Sequence, residues 1–284
     1  MTDKEPGQRQ IDHLTKSFMN NDFALHVGDC LEALRATEDG SFDLTVTSPP
    51  YDNLRTYNGY SFDFENIAKE LYRTTKDGGV VVWVVGDATV DGSETGTSFK
   101  QALYFKEIGF NLHDTMIWNK AGFSAVGALK TRYAPVFEYM FVLSKGTPKT
   151  FNPIKDRPNK HVGKKLAGTK RQADGSTKPL SGAGEKVYAQ FGQRFNIWEI
   201  FPQRQRGEDK HPAPFPEALV RDHIASWSKP CDVVFDPFTG SGTTAKVALE
   251  MGRKFVGCEI SPEYAAMAQR ITESARRKSN GEKP

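Results

Sequence analysis

The sequence has few cysteines and no long apolar run. Its 284 residues include three cysteines (Cys30, Cys231 and Cys258), too few and too widely spaced for a disulfide framework or a zinc site. This usage is typical of the reducing cytoplasm. No apolar stretch approaches the roughly 20 residues that span a bilayer, and the polar amino end is unlike a signal peptide. We therefore expect a cytoplasmic protein with no membrane segment and no bound metal.

The rest of the composition is that of an ordinary globular protein. Hydrophobic residues make up 38% of the chain and charged residues 26%. The length allows one large α/β domain with an insertion, or two domains. The net charge of +3 says little by itself, because the charges are unevenly distributed along the chain.

Short β-branched runs alternate with amphipathic segments along most of the chain. Apolar residues at Ile67, Ala68, Leu71 and Tyr72 predict a helix over 64–75, and the run 80–85 predicts a strand buried on both faces. Further strands are predicted at 23–27, 41–47, 111–118, 136–143, 231–235 and 254–258, with helices at 99–108, 245–251 and 262–275. This alternation indicates an α/β fold with a parallel sheet.

A basic segment interrupts the alternation. Residues 146–193 contain ten basic and three acidic residues, are rich in Gly, Ser and Pro, and have almost no large aliphatic side chains. Two interpretations stay open at this point. The segment is either a solvated, disordered loop or a region that contacts a polyanion.

The run Thr47–Tyr51 (T-S-P-P-Y) follows a predicted buried strand. Each proline removes a backbone donor and fixes φ, and the residue before each proline is pushed to an extended conformation. We therefore expect Ser48 and Pro49 to be rigid. A hydroxyl, fixed carbonyls and the ring of Tyr51 can together hold a flat polar ring. Taken alone, the same run is better explained as a simple turn that ends a strand.

A glycine-containing loop, Asp236–Thr244 (D-P-F-T-G-S-G-T-T), separates a predicted strand from a predicted helix. Its glycines permit a tight turn and the close approach of a ligand. Glu259 ends the next strand, 23 positions after Asp236, where an acid binds ribose hydroxyls in Rossmann-type sites. Ala245 replaces the third glycine of a dinucleotide motif, and the lysine of a triphosphate-binding loop is missing. A nucleoside ligand without pyrophosphate remains, for which S-adenosylmethionine is the natural candidate.

Together, these two motifs resemble those of the DNA amino-methyltransferases, which methylate an exocyclic nitrogen of cytosine or adenine. The catalytic motif precedes the basic segment and the cofactor motif follows it, an order that resembles the circularly permuted β group. The resemblance implies a Rossmann-like methyltransferase sheet flanked by helices, with the basic insertion as the target-recognition region. The chain is accordingly divided into a polar arm (1–22), a catalytic half (23–145), the basic insertion (146–193) and a cofactor-binding half (194–284).

The resemblance also implies roles for individual residues. The catalytic residues are Ser48, Pro49, Pro50 and Tyr51, which would hold a base extruded from the duplex. Residues expected to bind S-adenosylmethionine are Asp29, Cys30, His211, Phe215, Asp236, Phe238, Gly240, Ser241, Gly242, Thr243 and Glu259. Residues expected to contact DNA are Arg55, Tyr57, Arg132, Lys155, Arg157, Lys164, Lys165, Lys170 and Arg171.

The predicted function is site-specific methylation of double-stranded DNA. Serine at position 48 resembles the cytosine-N4 subgroup, but some adenine-N6 enzymes share it, so adenine stays the alternative target. Two further candidates are an amino-methyltransferase that acts on RNA or on a protein glutamine, and a DNA-binding protein with a non-catalytic methyltransferase fold. The sequence leaves open the recognition site, the oligomeric state (monomer or homodimer) and the existence of a cognate restriction endonuclease.

Overall fold

The structure, a computed structural model, describes residues 22–50, 62–120, 122, 130–202 and 215–279. These residues fall into two compact units. The first comprises the described residues up to Asn152 and from Asn196 onward, and the second is Pro153–Phe195. The basic insertion predicted at 146–193 overlaps the second unit over most of its length.

The first unit is built on a large sheet with helices between its strands. The strands are β1 (Phe23–Val27), β2 (Phe42–Thr47), β3 (Thr75–Val85), β6 (Asn111–Asn119), β7 (Phe137–Ser144), β12 (Ile197–Glu199), β13 (Val233–Asp236) and β14 (Lys254–Glu259). They form an eight-stranded sheet in the order β1-β14-β13-β2-β3-β7-β6-β12. A short hairpin, β4 (Thr89–Val90) and β5 (Ser93–Glu94), follows β3.

The first unit has six described helices, four of which begin within two residues of the helices predicted at 64–75, 99–108, 245–251 and 262–275. These six are α1 (Cys30–Ala36), α2 (Phe64–Thr74), α3 (Thr97–Glu107), α4 (Glu217–Trp227), α5 (Thr243–Glu250) and α6 (Pro262–Ser279). α3 and α5 each start two residues before the prediction, since each begins directly after a left-handed glycine, Gly96 or Gly242. In the part of the chain that the structure describes, no helix is both long and apolar enough to cross a membrane.

The sheet is mixed, and the prediction of a parallel sheet was wrong for one strand. β1, β14, β13, β2 and β3 pair in parallel, whereas β7 runs antiparallel to both β3 and β6. β6 and β7 are consecutive in the chain and adjacent in the sheet, a relation that permits direct antiparallel pairing without a crossover helix. The sequence did not reveal the reversal, because the apolar pattern of a buried strand is the same in either direction.

The core of the first unit follows the apolar patterns of the sequence. Residues 80–85 of β3 are at most 1% exposed, as expected for a strand that is covered on both faces. α2 buries Ile67, Ala68 and Leu71 in the hydrophobic cluster to which β3 also contributes. β3 begins at Thr75 rather than at residue 80, because Thr75 already pairs with Phe42 of β2 before the register shifts.

The second unit is an antiparallel ribbon in which the chain runs out and back, and four short strands form its two paired segments. Its strands are β8 (Arg157–Pro158), β9 (Thr169–Arg171), β10 (Thr177–Pro179) and β11 (Phe191–Gly192), with β8 paired to β11 and β9 to β10. Backbone hydrogen bonds extend the ladder beyond these strands, from the Arg194 N–H to the Ile154 carbonyl and from the Leu180 N–H to the Gly168 carbonyl. The segment Pro153–Phe195, called the basic ribbon below, therefore consists of short strands and turns rather than of an irregular loop.

Candidate active site

The two predicted motifs follow neighbouring strands at the carboxyl edge of the sheet. β2 leads through α2 to β3 on one side, and β13 leads through α5 to β14 on the other. The crevice between β2 and β13 is therefore a topological switch point, where open α/β sheets bind their ligands. Phe235 of β13 pairs with Thr45 of β2, so that Asp236 and the turn after Thr47 lie side by side.

A buried hydrogen bond joins the two motifs. The Thr47 hydroxyl donates to Asp236 Oδ1 at 2.7 Å, and the Phe238 N–H donates to the same oxygen at 3.0 Å. The Thr244 hydroxyl, at the start of α5, also donates to this carboxyl. Asp236 is 3% exposed, and burial raises its pKa to about 6 in spite of these donors. The carboxyl thus ties the turn after β2 to the glycine loop and to α5.

The turn after β2, which contains the predicted catalytic residues, is partly accessible. Thr47 and Pro49 are buried, whereas Ser48 and Pro50 are half-buried, so that Ser48 keeps accessible surface, as a residue that touches a substrate must. Tyr51 lies outside the described residues. Its predicted stacking role therefore stays a prediction.

The glycine loop owes part of its sequence to packing. Gly240 and Gly242 have φ values of +53° and +89°, a left-handed conformation that favours glycine. A Cβ on Gly242 would lie 2.8 Å from the Ala268 Cα of α6, so this glycine is required for the contact between the loop and α6. Ser241 is buried and Thr243 is half-buried. Gly242 therefore has a structural explanation that needs no ligand.

Glu259, at the end of β14, faces the same loop. Its Oε2 accepts from the Gly240 N–H at 2.7 Å and its Oε1 from the Ser261 N–H at 2.9 Å. The side chain is buried, which raises its pKa. The Ile260 N–H also donates to this carboxyl. A carboxylate offers about four acceptor positions, so these three bonds leave capacity for about one further donor.

Asp29 and Cys30 follow β1, the neighbour of β14. Asp29 Oδ1 accepts from the Leu31 N–H at 2.8 Å and so caps the amino end of α1. The Gly28 N–H donates to the Glu259 carbonyl at 2.9 Å, which holds this turn beside Glu259. Cys30 is buried in the hydrophobic core, and burial raises the pKa of its thiol to about 12. The thiol is a core group, so the predicted contact of Cys30 with the cofactor stays a prediction.

The aromatic residues predicted for the cofactor site have different surroundings. The Phe238 ring lies with its centroid 5.6 Å from that of Phe62 and 6.3 Å from that of Trp83, at the edge of the core. Phe215 is half-buried just before α4. His211 lies outside the described residues.

The residues predicted to contact DNA divide into two groups. Arg132 and Arg157 are engaged within the protein. Arg132 contacts the Gly92 carbonyl and lies 3.6 Å from Glu94, and the Arg157 guanidinium lies over the Phe195 ring. The exposed residues of this set are Lys155, Lys164, Lys165, Lys170 and Arg171. Arg55 and Tyr57 lie outside the described residues.

Two features of this edge were not predicted from the sequence. The first is the hydrogen bond from Thr47 to Asp236, for which the available signal was that a hydroxyl at the end of a buried strand needs a partner. The second feature is an ion pair of 2.5 Å between Lys120 Nζ, just after β6, and Glu138 Oε1 in β7. Glu138 is 8% exposed, and its side chain would meet a Cβ placed on Gly86, which follows β3. The available signal for this ion pair was Glu138 itself, the single acid in the apolar run 137–143.

The described residues fit S-adenosylmethionine. Its ribose hydroxyls need an acceptor, and the buried Glu259 carboxylate retains acceptor capacity. Its adenosine must approach the backbone closely, and the left-handed Gly240 lies in the loop that this acid holds. Glu259, the loop 236–243 and the turn 28–30 are therefore the residues that would hold this molecule.

Comparisons with known proteins show the family and the fold of this chain. The family described as DNA methylase, which groups the N6 and N4 enzymes, matches residues 42–270. The chain is 56% identical over 250 residues to the orphan methyltransferase M.BamHII of Bacillus amyloliquefaciens, covering 86% of this chain and 89% of that protein. Among solved structures, the cytosine-N4-specific PvuII DNA methyltransferase has a TM-score of 0.64 at 22% identity, covering 92% of this chain and 94% of that one. The M1.HpyAVI–SAM complex has a TM-score of 0.59 at 19% identity, covering 88% of this chain and 98% of that one.

Proposed function

Because the chain belongs to the DNA methylase family, we propose that it transfers a methyl group from S-adenosylmethionine to the N4 amino group of cytosine in double-stranded DNA. Methylation of an exocyclic amino group of DNA is the activity of the family, and the choice of cytosine N4 as the target is our proposal. The main support for the site is the 2.7 Å hydrogen bond between Thr47 and Asp236, which joins the T-S-P-P-Y turn to the glycine loop.

In this proposal the turn after β2 activates and holds the amino group. The Ser48 hydroxyl and the Pro49 carbonyl accept N–H hydrogen bonds and draw the nitrogen toward sp³ geometry, which makes its lone pair more nucleophilic. Ser48 is a poor general base at neutral pH, so the proton passes to water after transfer. Tyr51 stacks on the extruded base. S-adenosylmethionine supplies a methyl group on a positively charged sulfonium, which becomes a neutral thioether. Positioning and electrostatics therefore carry most of the rate.

Serine at position 48 is the basis for preferring cytosine over adenine. A hydroxyl, a carboxylate and an amide can each accept a hydrogen bond from an amino group. The serine therefore favours cytosine through its resemblance to the cytosine-N4 subgroup, and its chemistry alone does not select the base. Adenine-N6 methylation is the second candidate on the same site. The half-buried Ser48 beside the buried Pro49 is compatible with either base.

Product analysis tests the proposal. Purified protein is incubated with unmethylated duplex DNA and S-adenosylmethionine that carries a labelled methyl group, and the DNA is digested to nucleosides for mass analysis. We expect label in N4-methyldeoxycytidine. Ser48→Ala should lower the transfer rate by roughly 10²-fold or more, since the amino group loses an acceptor. Ser93→Ala, at an exposed position in β5, is the matched control and should keep wild-type activity.

The possible products separate the candidate functions. Label in N6-methyldeoxyadenosine would keep the family activity and overturn the choice of base. Label in RNA or protein, with none in DNA, would overturn the proposed substrate. If Ser48→Ala lost binding of S-adenosylmethionine in calorimetry rather than transfer, its assigned role on the amino group would be wrong.

A further inference from the structure

The far end of the basic ribbon carries an unfavourable arrangement of charge. β9 and β10 pair antiparallel with Lys170 directly opposite Lys178, and every residue of both strands is exposed. Residues that face each other across an antiparallel pair project to the same face, with Cβ atoms about 5 Å apart. Like charges in this position destabilise a hairpin. Among the described residues neither lysine has an ion-pair partner.

The same hairpin, Thr169–Pro179, has little else to hold it. A two-stranded hairpin without an apolar face is marginally stable in water, and the paired residues are threonine, lysine, arginine and proline. The turn is closed by the Gln172 N–H, which donates to the Ser176 carbonyl at 2.7 Å. The single acid of the hairpin, Asp174, accepts from the Ser176 N–H and hydroxyl at 2.9 and 2.7 Å and so serves the turn. The lysines therefore face no internal counter-charge from the hairpin.

We propose that Lys170 and Lys178 form a phosphate-binding site that holds one backbone phosphate of the target DNA between them. The proposal rests on the proposed function, because it takes duplex DNA as the substrate. A phosphate between the two ammonium groups converts their repulsion into two charge-assisted contacts. A two-stranded ribbon is also narrow enough to enter the major groove, along which phosphates are arranged on both sides.

The rest of the ribbon favours a polyanion as the partner. Residues 153–195 contain ten basic residues against three acidic ones. Two of those acids are already engaged, Asp156 with Arg194 at 2.5 Å and Asp174 with its own turn. The phosphate bound by the lysine pair thereby stabilises the hairpin and fixes its position along the duplex, so that hairpin order and DNA binding are coupled.

The variant K178E separates these two effects. It places a carboxylate opposite Lys170 and should stabilise the free hairpin, slowing amide exchange of residues 169–179 by roughly two- to fivefold. At the same time it should weaken binding to duplex DNA, and the slope of log K against log salt should become shallower by about 0.9, the value for one lost phosphate contact. K178Q removes the repulsion without adding a charge. It should give the same change of slope with a smaller gain in protection.

The control variant is K229E. Lys229 is exposed and precedes β13, at the edge of the sheet opposite the active site, and its substitution changes the net charge equally. We expect K229E to keep the wild-type salt slope. An equal loss of affinity in K229E and K178E would overturn the phosphate site, as would wild-type affinity and slope in both K178E and K178Q.

Methyl transfer by the wild-type protein distinguishes failure of this inference from failure of the proposed function. If wild-type protein methylates DNA and the Lys178 variants bind DNA unchanged, the inference fails and the proposed function stands. If wild-type protein neither binds nor methylates DNA, the proposed function fails. Tight binding of the ribbon to an acidic protein instead of to DNA would also overturn the inference.

Discussion

At the scale of single residues, the structure gives Asp236 a role that its motif did not suggest. The predicted ligand contact of Asp236 stays a prediction, and within the protein its carboxyl accepts from Thr47, Phe238 and Thr244. A buried carboxyl with these donors positions the groups around it. We therefore regard Asp236 as a positioning residue that links the turn after β2 to the glycine loop.

Replacing Asp236 by Asn should change how stability depends on pH. Folding raises the pKa of Asp236 to about 6, so the folded protein binds this proton more tightly than the unfolded chain. The stability that this proton contributes is fully present below the unfolded pKa, near 4, and is lost as the pH rises through 6. Relative to D236N, wild-type protein should therefore lose roughly 2–3 kcal/mol of unfolding free energy between pH 4 and pH 7.

Urea unfolding at several pH values measures this effect. Asp77→Asn is the matched control, because the Asp77 side chain is 86% exposed, and it should keep the wild-type profile. Parallel pH profiles for wild type and D236N would show that the Asp236 carboxyl is not responsible.

At the scale of elements, the site depends on how closely α5 and α6 pack. The loop that leads into α5 approaches α6 so closely that Gly242 has no room for a side chain. The acid at the end of β14 holds the same loop through Gly240. A displacement of α6 would therefore move the glycine loop directly.

Two glycine substitutions test this packing. Gly242→Ala should cost about 1–2 kcal/mol for its left-handed conformation and about 1–3 kcal/mol more for the clash with Ala268. Gly252→Ala is the matched control, since Gly252 has φ +72° and nothing within 4 Å of the added Cβ. It should show only the conformational cost. Urea unfolding gives both free energies, and equal costs would show that the contact with α6 is unimportant.

The sequence predicted most elements and the two motifs, but only part of the site. Strand ends could be predicted because Pro49, Pro50 and Gly240 stop regular structure for local reasons. The bond between Thr47 and Asp236 could not, since it joins residues far apart in the chain and depends on the strand order. The ends of β2 and β13 lie at one edge of the sheet, as the geometry of parallel strands requires. The reversal of β7 and the Lys120–Glu138 pair were missed, because both depend on tertiary pairing alone.

At the scale of the whole molecule, the two units have different kinds of stability. The first has a large hydrophobic core around the sheet. The basic ribbon is held mainly by backbone hydrogen bonds, and its two ends meet where the Arg194 N–H donates to the Ile154 carbonyl at 2.9 Å. A segment whose ends are adjacent can be replaced by a short linker at small entropic cost.

Removing the ribbon should therefore separate DNA binding from the rest of the function. Replacing 153–195 by a few glycines should leave cooperative unfolding and binding of S-adenosylmethionine intact, while methylation of duplex DNA is lost. A shorter deletion that joins Gly168 to Leu180, which are hydrogen bonded at 3.0 Å, removes only the distal hairpin and serves as the control. It should retain weak methylation. Loss of cooperative unfolding in the larger deletion would show that the first unit needs the ribbon.

The strand order also has a consequence for synthesis. β1, the first strand of the described chain, has β14, the last one, as its neighbour in the sheet. A nascent chain emerges from its amino end at about 5–20 residues per second, so β2 and β3 can pair long before β13 and β14 exist. Pairing over such a separation in the chain slows folding. The site between β2 and β13 can therefore form only after β13 and β14 have been synthesised, and until then β1 and the edge of β2 that later pairs with β13 lack their partner strands.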